Sequence, residues 1–184
     1  KPFIDFIKDH AGDADVFCFQ DILFGSNPQF TPKRQGRINI FLELKELLAD
    51  FNSVIFQSPG ESHFHDEILP QDIGCGQAIF VKNYLKILES GGFRGVENIY
   101  YSEDADIVSG RCQWVKIQRL SEQITIMNFH GMWQKDTNKE DTPERIKQSE
   151  NIQNFLNSVK GWKILCGDFN LISGGEAMKI LERN

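Results

Sequence analysis

Two long β-type runs, Cys112 to Leu120 and Gln123 to Phe129, are separated only by Ser121 and Glu122. So short a connection joins two strands only by reversing the chain, and it predicts an antiparallel hairpin. Elsewhere helix and strand signals alternate. Phe3, Phe6, Ile7 and His10 fall at helical spacing before the turn residues Ala11-Gly12-Asp13, and Ile38, Phe41, Leu42, Leu48 and Phe51 recur with the same period. Val16 to Phe19 is a continuous apolar run closed by Gln20-Asp21, the pattern of a strand buried on both faces. Ser53 to Phe56 and Gln77 to Val81 predict further strands. Thr142-Pro143-Glu144 reads as a helix start, with a hydroxyl N-cap, a proline at the first helical position and a carboxylate beside the positive end. Ile152, Phe155, Leu156 and Val159 form that helix's apolar face and Gly161 ends it. Trp162 to Cys166 then reads as another buried strand, and Glu176 to Leu181 as a last short helix. A hairpin inside such an alternation excludes a purely parallel sheet and predicts α/β layers around a mixed one.

The 184 residues carry 20 Lys and Arg against 26 Asp and Glu, a net charge of −6. That balance argues against holding nucleic acid by bulk charge, though not against an enzyme with a local basic or metal-filled cleft. A hydrophobic fraction of 40% is enough for a sizeable core and excludes disorder, collagen and coiled coil. No apolar run approaches the roughly 18 residues of a membrane helix, so no membrane span is expected. Lys1 to Asp5 lack the apolar block of a signal peptide, as would a chain whose leader had been removed. Cys18, Cys75, Cys112 and Cys166 are widely spaced without a Cys-x-x-Cys pair, which predicts buried thiols and a cytoplasmic, reducing location. With no repeat, low-complexity tract or linker, one domain over residues 1–184 and a monomer are expected.

Three polar clusters each follow directly on an apolar strand: Gln20-Asp21, Asn128-Phe129-His130-Gly131 and Gly167-Asp168-Phe169-Asn170. In layered α/β folds polar groups converge on a ligand at strand ends, because the strand bodies are buried. Taken singly, Asp21 reads as well as a solvated turn residue and His130 as a satisfied strand-end histidine. Gly-Asp-x-Asn is more specific: the glycine frees the backbone, and an extended segment would put carboxylate and carboxamide on one side.

Together the clusters resemble the endonuclease/exonuclease/phosphatase superfamily, the deoxyribonuclease I-like metal-dependent phosphoesterases. In that family one strand ends in Gln-Glu, a later one in a His-containing segment and a third in Gly-Asp-Phe-Asn, in this order. Gly76-Gln77-Ala78-Ile79-Phe80 resembles the family's Gly-x-Ala-Ile-Phe strand, and Arg145 and Gln148 sit on a helix where the family often has Arg and Gln. The resemblance implies a four-layer α/β sandwich, two mixed sheets flanked by helices. It also implies roles: Asp21 in the place of the metal-binding Glu, Asp168 orienting or deprotonating the attacking water, Asn170 fixing nucleophile and phosphate, and His130 donating to a phosphate oxygen. The implied metal is Mg²⁺, with Mn²⁺ as an alternative. Arg145 is carried as a substrate-binding candidate, and Trp133 as either a cleft wall or an ordinary half-buried aromatic.

Two parts of the family pattern are missing. The Asn-bearing first strand would precede Lys1, and the final Asp-His pair would follow Asn184, so the chain is expected to be the central part of a longer protein. The implied activity is hydrolysis of a phosphate ester, nuclease-like first and a small or lipid-linked phosphate second, with nucleic acid among the candidate partners. Asp in place of Glu at position 21, together with the missing ends, motivates the competing class, a non-catalytic binding module on the same scaffold. Two weaker readings remain: His63 and His65 before Asp66-Glu67 as Zn²⁺ ligands, and Lys33, Arg34 and Arg37 as a phosphate-contacting loop.

Overall fold

The computed structural model describes residues 2–25, 39–57, 69–70, 72–96, 110–135 and 137–183, together with the backbone of residues 63–64, 67–68 and 107–108. It divides into two compact units, Lys1–Ile87 and Leu88–Asn184. The Lys33, Arg34 and Arg37 loop lies outside the described residues, as does His65, while the backbone of His63 falls in a two-residue strand.

In the first unit α1 (Pro2–His10), β1 (Val16–Gly25), α2 (Ile40–Leu47), β2 (Phe51–Gln57), the short β3 (His63–Phe64) and β4 (Glu67–Ile68), and β5 (Ile73–Lys82) follow in order. β5 is the middle strand of a three-stranded sheet, β1-β5-β2, and both pairings are antiparallel. Its central place explains its near-continuous burial from Ile73 to Val81, since a strand covered at both edges and on both faces meets no water. One core joins Ile7 of α1, Ile40, Phe41 and Leu44 of α2, Phe19 and Ile22 of β1, and Ala78 and Phe80 of β5. Helical residues and alternate strand residues in one cluster place the helices on a face of the sheet. Two sequence expectations move here. Phe51, predicted to extend the second helix, begins β2, and β1 runs on through Gln20-Asp21 to Gly25.

The second unit contains β6 (Lys86–Arg94), which starts at the junction, β7 (Ile107–Val108), β8 (Arg111–Arg119), β9 (Glu122–His130), β10 (Trp133–Gln134), α3 (Pro143–Ser158), β11 (Trp162–Asp168) and α4 (Glu176–Leu181). Its sheet has the order β11-β9-β8-β6 and is mixed, with β9 antiparallel to β8 and parallel to β11. The predicted hairpin is present, but its reversal falls one residue earlier, at Leu120 and Ser121, where Leu120 adopts φ 56° and is 91% exposed. α3 starts as predicted: Pro143 is its first residue and the Thr142 hydroxyl accepts the Arg145 N–H at 3.3 Å. Ile152 and Leu156 of α3 pack with Met127 and Phe129 of β9 and Cys112 of β8, so the helix covers one sheet face. Trp162–Asp168 forms the strand its composition predicts. Among the described residues β11 stands at the edge of this sheet, with Trp162 64% and Ile164 49% exposed.

Candidate active site

His130 is the last residue of β9 and Asp168 the last of β11, and the parallel register sets them opposite one another. The preceding strand residues Met127 and Phe129 are fully buried, whereas Asp168 is exposed and His130 half-buried. The sheet thus delivers a carboxylate and an imidazole to one end. Two glycines allow the strands to close there. Gly167 has φ 135°, and a Cβ on it would lie 1.9 Å from the Phe129 carbonyl oxygen. A Cβ on Gly131 would lie 1.8 Å from that of Phe169, while the Gly131 N–H donates to the Asp168 carbonyl at 2.7 Å.

Asn170 completes this group, though not in the extended geometry expected of Gly-Asp-x-Asn. The chain turns: Asn170 has φ 50°, its backbone N–H donates to Asp168 Oδ1 at 3.1 Å, and its Nδ2 donates to the Gly131 carbonyl at 3.0 Å. Asn and Asp tolerate this left-handed backbone better than other side chains, and a carboxylate accepting an N–H two residues on closes such turns. Asn170 is 7% exposed, so its carboxamide is fixed before any ligand arrives. His130, Asp168 and Asn170 are therefore brought together on adjoining strand ends.

Asp21 lies in the first unit, on an irregularity of β1. Phe19 pairs with Ala78 and Ile22 with Gly76, so Gln20 and Asp21 together stand against the single residue Gln77. Such a bulge bends the strand and re-aims a side chain. Asp21 takes φ 51° there, and the Cys75 thiol donates to its Oδ1 at 4.0 Å. Gln77, opposite this bulge, is a fully buried polar side chain. One polar residue inside Gly76–Val81 was the available signal. Among the described residues no three His, Cys, Asp or Glu side chains form a group able to hold a metal ion.

Trp133 is 45% exposed on β10, three residues beyond His130. Arg145, the other substrate-binding candidate, has no exposed surface. Its Nη1 donates to Thr137 Oγ1 at 2.9 Å and to the Glu140 carbonyl at 2.5 Å, which places it beneath the turn before α3. Burial pushes its pKa down and the nearby Asp141 opposes that shift. Asp141 itself carries a role absent from the sequence reading. Its carboxylate accepts the first N–H groups of α4, from Ala177 at 3.0 Å and Glu176 at 2.6 Å, and these bonds hold its pKa below the ordinary carboxylate value.

No family model matches the chain, and no curated protein matches it in sequence. Solved structures do. An endonuclease/exonuclease/phosphatase protein from Bacteroides vulgatus superposes over 100% of this chain and 61% of its own, with TM-score 0.66 and 17% identity. The mannosyl-6-phosphatase of Bacteroides thetaiotaomicron does so over 98% and 59%, with TM-score 0.63 and 17% identity. D. rerio TDP2 complexed with a single-strand DNA product covers 97% and 56%, with TM-score 0.61 and 12% identity. The fold of this chain is that of the endonuclease/exonuclease/phosphatase proteins, an α/β sandwich, as its strand-end motifs imply. The chain spans about three-fifths of the length of these structures. No helix among the described residues is long and apolar enough to cross a membrane.

Proposed function

We propose that this chain carries most of the active site of a phosphoesterase that attacks a phosphate ester with activated water. The observation that supports it best is the meeting of His130, Asp168 and Asn170 on adjoining strand ends of a fold whose neighbours include a mannosyl-6-phosphatase and a protein bound to a DNA product. Asp168 takes the proton from the attacking water, a task suited to an exposed carboxylate at a fixed place. Asn170, its carboxamide held by Gly131, orients water and phosphate, which lowers the entropy cost of the encounter. His130 donates to a phosphate oxygen as negative charge builds on phosphorus. Trp133 lines the substrate's path.

Asp21 offers a hard carboxylate oxygen, which fits Mg²⁺, or Mn²⁺ in its place, since such ions keep several waters and need few protein ligands. When bound, the ion would neutralise charge on the phosphate and its leaving oxygen. We assign a nucleic acid phosphodiester as first substrate class and a small or lipid-linked phosphate as second. The four cysteines, all of them thiols, accord with a cytoplasmic location, and we take the protein as a monomer.

The test is turnover by the full-length protein with Mg²⁺ or Mn²⁺ on single-stranded and abasic DNA, nucleotides, and sugar or inositol phosphates. Hydrolysis lost in Asp168→Ala is the expected result. Hydrolysis that survives Asp168→Ala sinks the chemistry, and tight binding with no turnover establishes the binding-module alternative instead.

A further inference from the structure

The turn at residues 137–141 is built as a strap with anchors on two sides. Beneath it lies the fully buried Arg145, whose Nη1 holds Thr137 Oγ1 and the Glu140 carbonyl. Thr137 Oγ1 in turn donates to the Gln134 carbonyl at 2.9 Å, and the Glu140 N–H returns to the Thr137 carbonyl at 2.8 Å. Asn138 and Lys139 take φ 47° and 63° in this turn. Left-handed backbone at two successive non-glycine residues persists only where the surroundings fix it. The buried guanidinium supplies that restraint.

On its other side the strap holds the segment that follows Asn170. The Ile172 N–H donates to the Lys139 carbonyl at 2.9 Å, the Gly175 N–H to the Ile172 carbonyl at 3.3 Å, and Asp141 receives Glu176 and Ala177. Gly175 at the N-cap has no side chain to cap α4, so Asp141 does so from a distant part of the chain. Asn170 is therefore bounded on one side by Asp168 and Gly131 and on the other by a segment tied to the strap.

We propose that Asp141 is a positioning residue for Asn170, acting through residues 172–177, with Arg145 as the support that keeps Asp141 in place. Loss of the Asp141 carboxylate frees the start of α4 and the turn at Ile172, and the Asn170 backbone then samples conformations in which its carboxamide leaves Gly131. Arg145 thereby serves the site from the interior without touching substrate. The catalytic consequence rests on the phosphoesterase reading, whereas the structural link does not.

Amide exchange measured by NMR on the full chain separates the two. In Asp141→Ala, exchange at Asn170 and Ile172 is expected to quicken about fivefold or more, the effect of losing a helix cap, while Met127 in the body of β9 keeps its rate. Thr137→Val, which removes one anchor of Arg145 and leaves Asp141 intact, is expected to move Asn170 in the same direction, and Asp141→Asn to give an intermediate change. On a substrate that the wild type hydrolyses, kcat falls in Asp141→Ala while KM stays. Faster exchange confined to Glu176 and Ala177, with Asn170 at its wild-type rate in Asp141→Ala and Thr137→Val, overturns the proposal and leaves Asp141 a cap of α4. A wild type without turnover whose Asn170 still responds overturns the phosphoesterase reading and upholds the strap.

Discussion

His130 and Asp168 face each other across a parallel pair of strands, as the terminal residues of β9 and β11. Because the side-chain period of a strand is two, a slip of one residue would turn the strand's side chains to the opposite face. The register is held by the core on one side, where Leu165 packs against the cluster of Met127 and Phe129, and by the Gly131 N–H on the Asp168 carbonyl at the other. The pairing of these two residues is thus a consequence of how the apolar strand bodies pack.

Asp168→Asn separates chemistry from architecture. The carboxamide keeps an oxygen to accept the Asn170 N–H, so the turn survives, but it is no longer a base for water. Turnover is expected to drop by about 10²–10⁴-fold, the usual worth of a general base, with little change in the urea midpoint. A variant that keeps more than a tenth of the activity would remove Asp168 from the proton transfer.

At position 21 the backbone decides which substitution is informative. With φ 51°, Asp21→Asn fits the bulge, whereas Asp21→Ala also strains the strand. Calorimetric titration with Mg²⁺ is expected to show weakened binding in Asp21→Asn at unchanged thermal stability. Equal affinity in wild type and variant would place the cation elsewhere.

Gly167→Ala tests the close approach of β11 to β9. The new Cβ meets the Phe129 carbonyl oxygen at 1.9 Å, at a φ of 135° that alanine rarely adopts. The nearest atoms all belong to the Phe129 backbone and not to a movable side-chain end, so the strands must part. A loss of about 2 kcal/mol or more is expected in urea unfolding, together with lost turnover. A loss below about 0.5 kcal/mol would mean that the strand ends are not locked as described.

The ends of β9 and β11 were legible in the sequence because each lies where an apolar run stops, whereas β1 runs on past Gln20-Asp21 to Gly25, and Thr142-Pro143 announced α3 by local chemistry alone. The hairpin was legible too, within one residue of its turn. What the sequence concealed depends on neighbours distant in the chain. Asp141 directly precedes the Thr142-Pro143 start of α3, yet its carboxylate caps α4, 35 residues away. Arg145 carries the charge of a surface residue yet is fully buried, with its Nη1 bonded to Thr137 and to the Glu140 carbonyl. The polar pair Gln20-Asp21 reads in the sequence as the end of a strand and not as a bulge within one, since a bulge is a mismatch between two strands and only one can be read at a time.

Acid stability offers a last test, directed at Asp141. The N–H groups of Ala177 and Glu176 stabilise its ionised form, so its pKa in the folded chain lies below the value of about 3.9 expected when unfolded. A depressed folded pKa means that the unfolded chain takes up the proton first. The stabilisation is therefore complete above about pH 5 and fades as the pH falls through about 4 and on toward the folded pKa. Glu144 is also held low, chiefly by its own backbone N–H, and contributes in the same direction in wild type and variant alike. The difference between wild type and Asp141→Asn thus isolates Asp141. In thermal melts from pH 7 to pH 3 the wild type is expected to lose its advantage over Asp141→Asn on acidification, the two curves converging below about pH 4. Curves that run parallel over the whole range would show that the Asp141 carboxylate contributes nothing to holding α4.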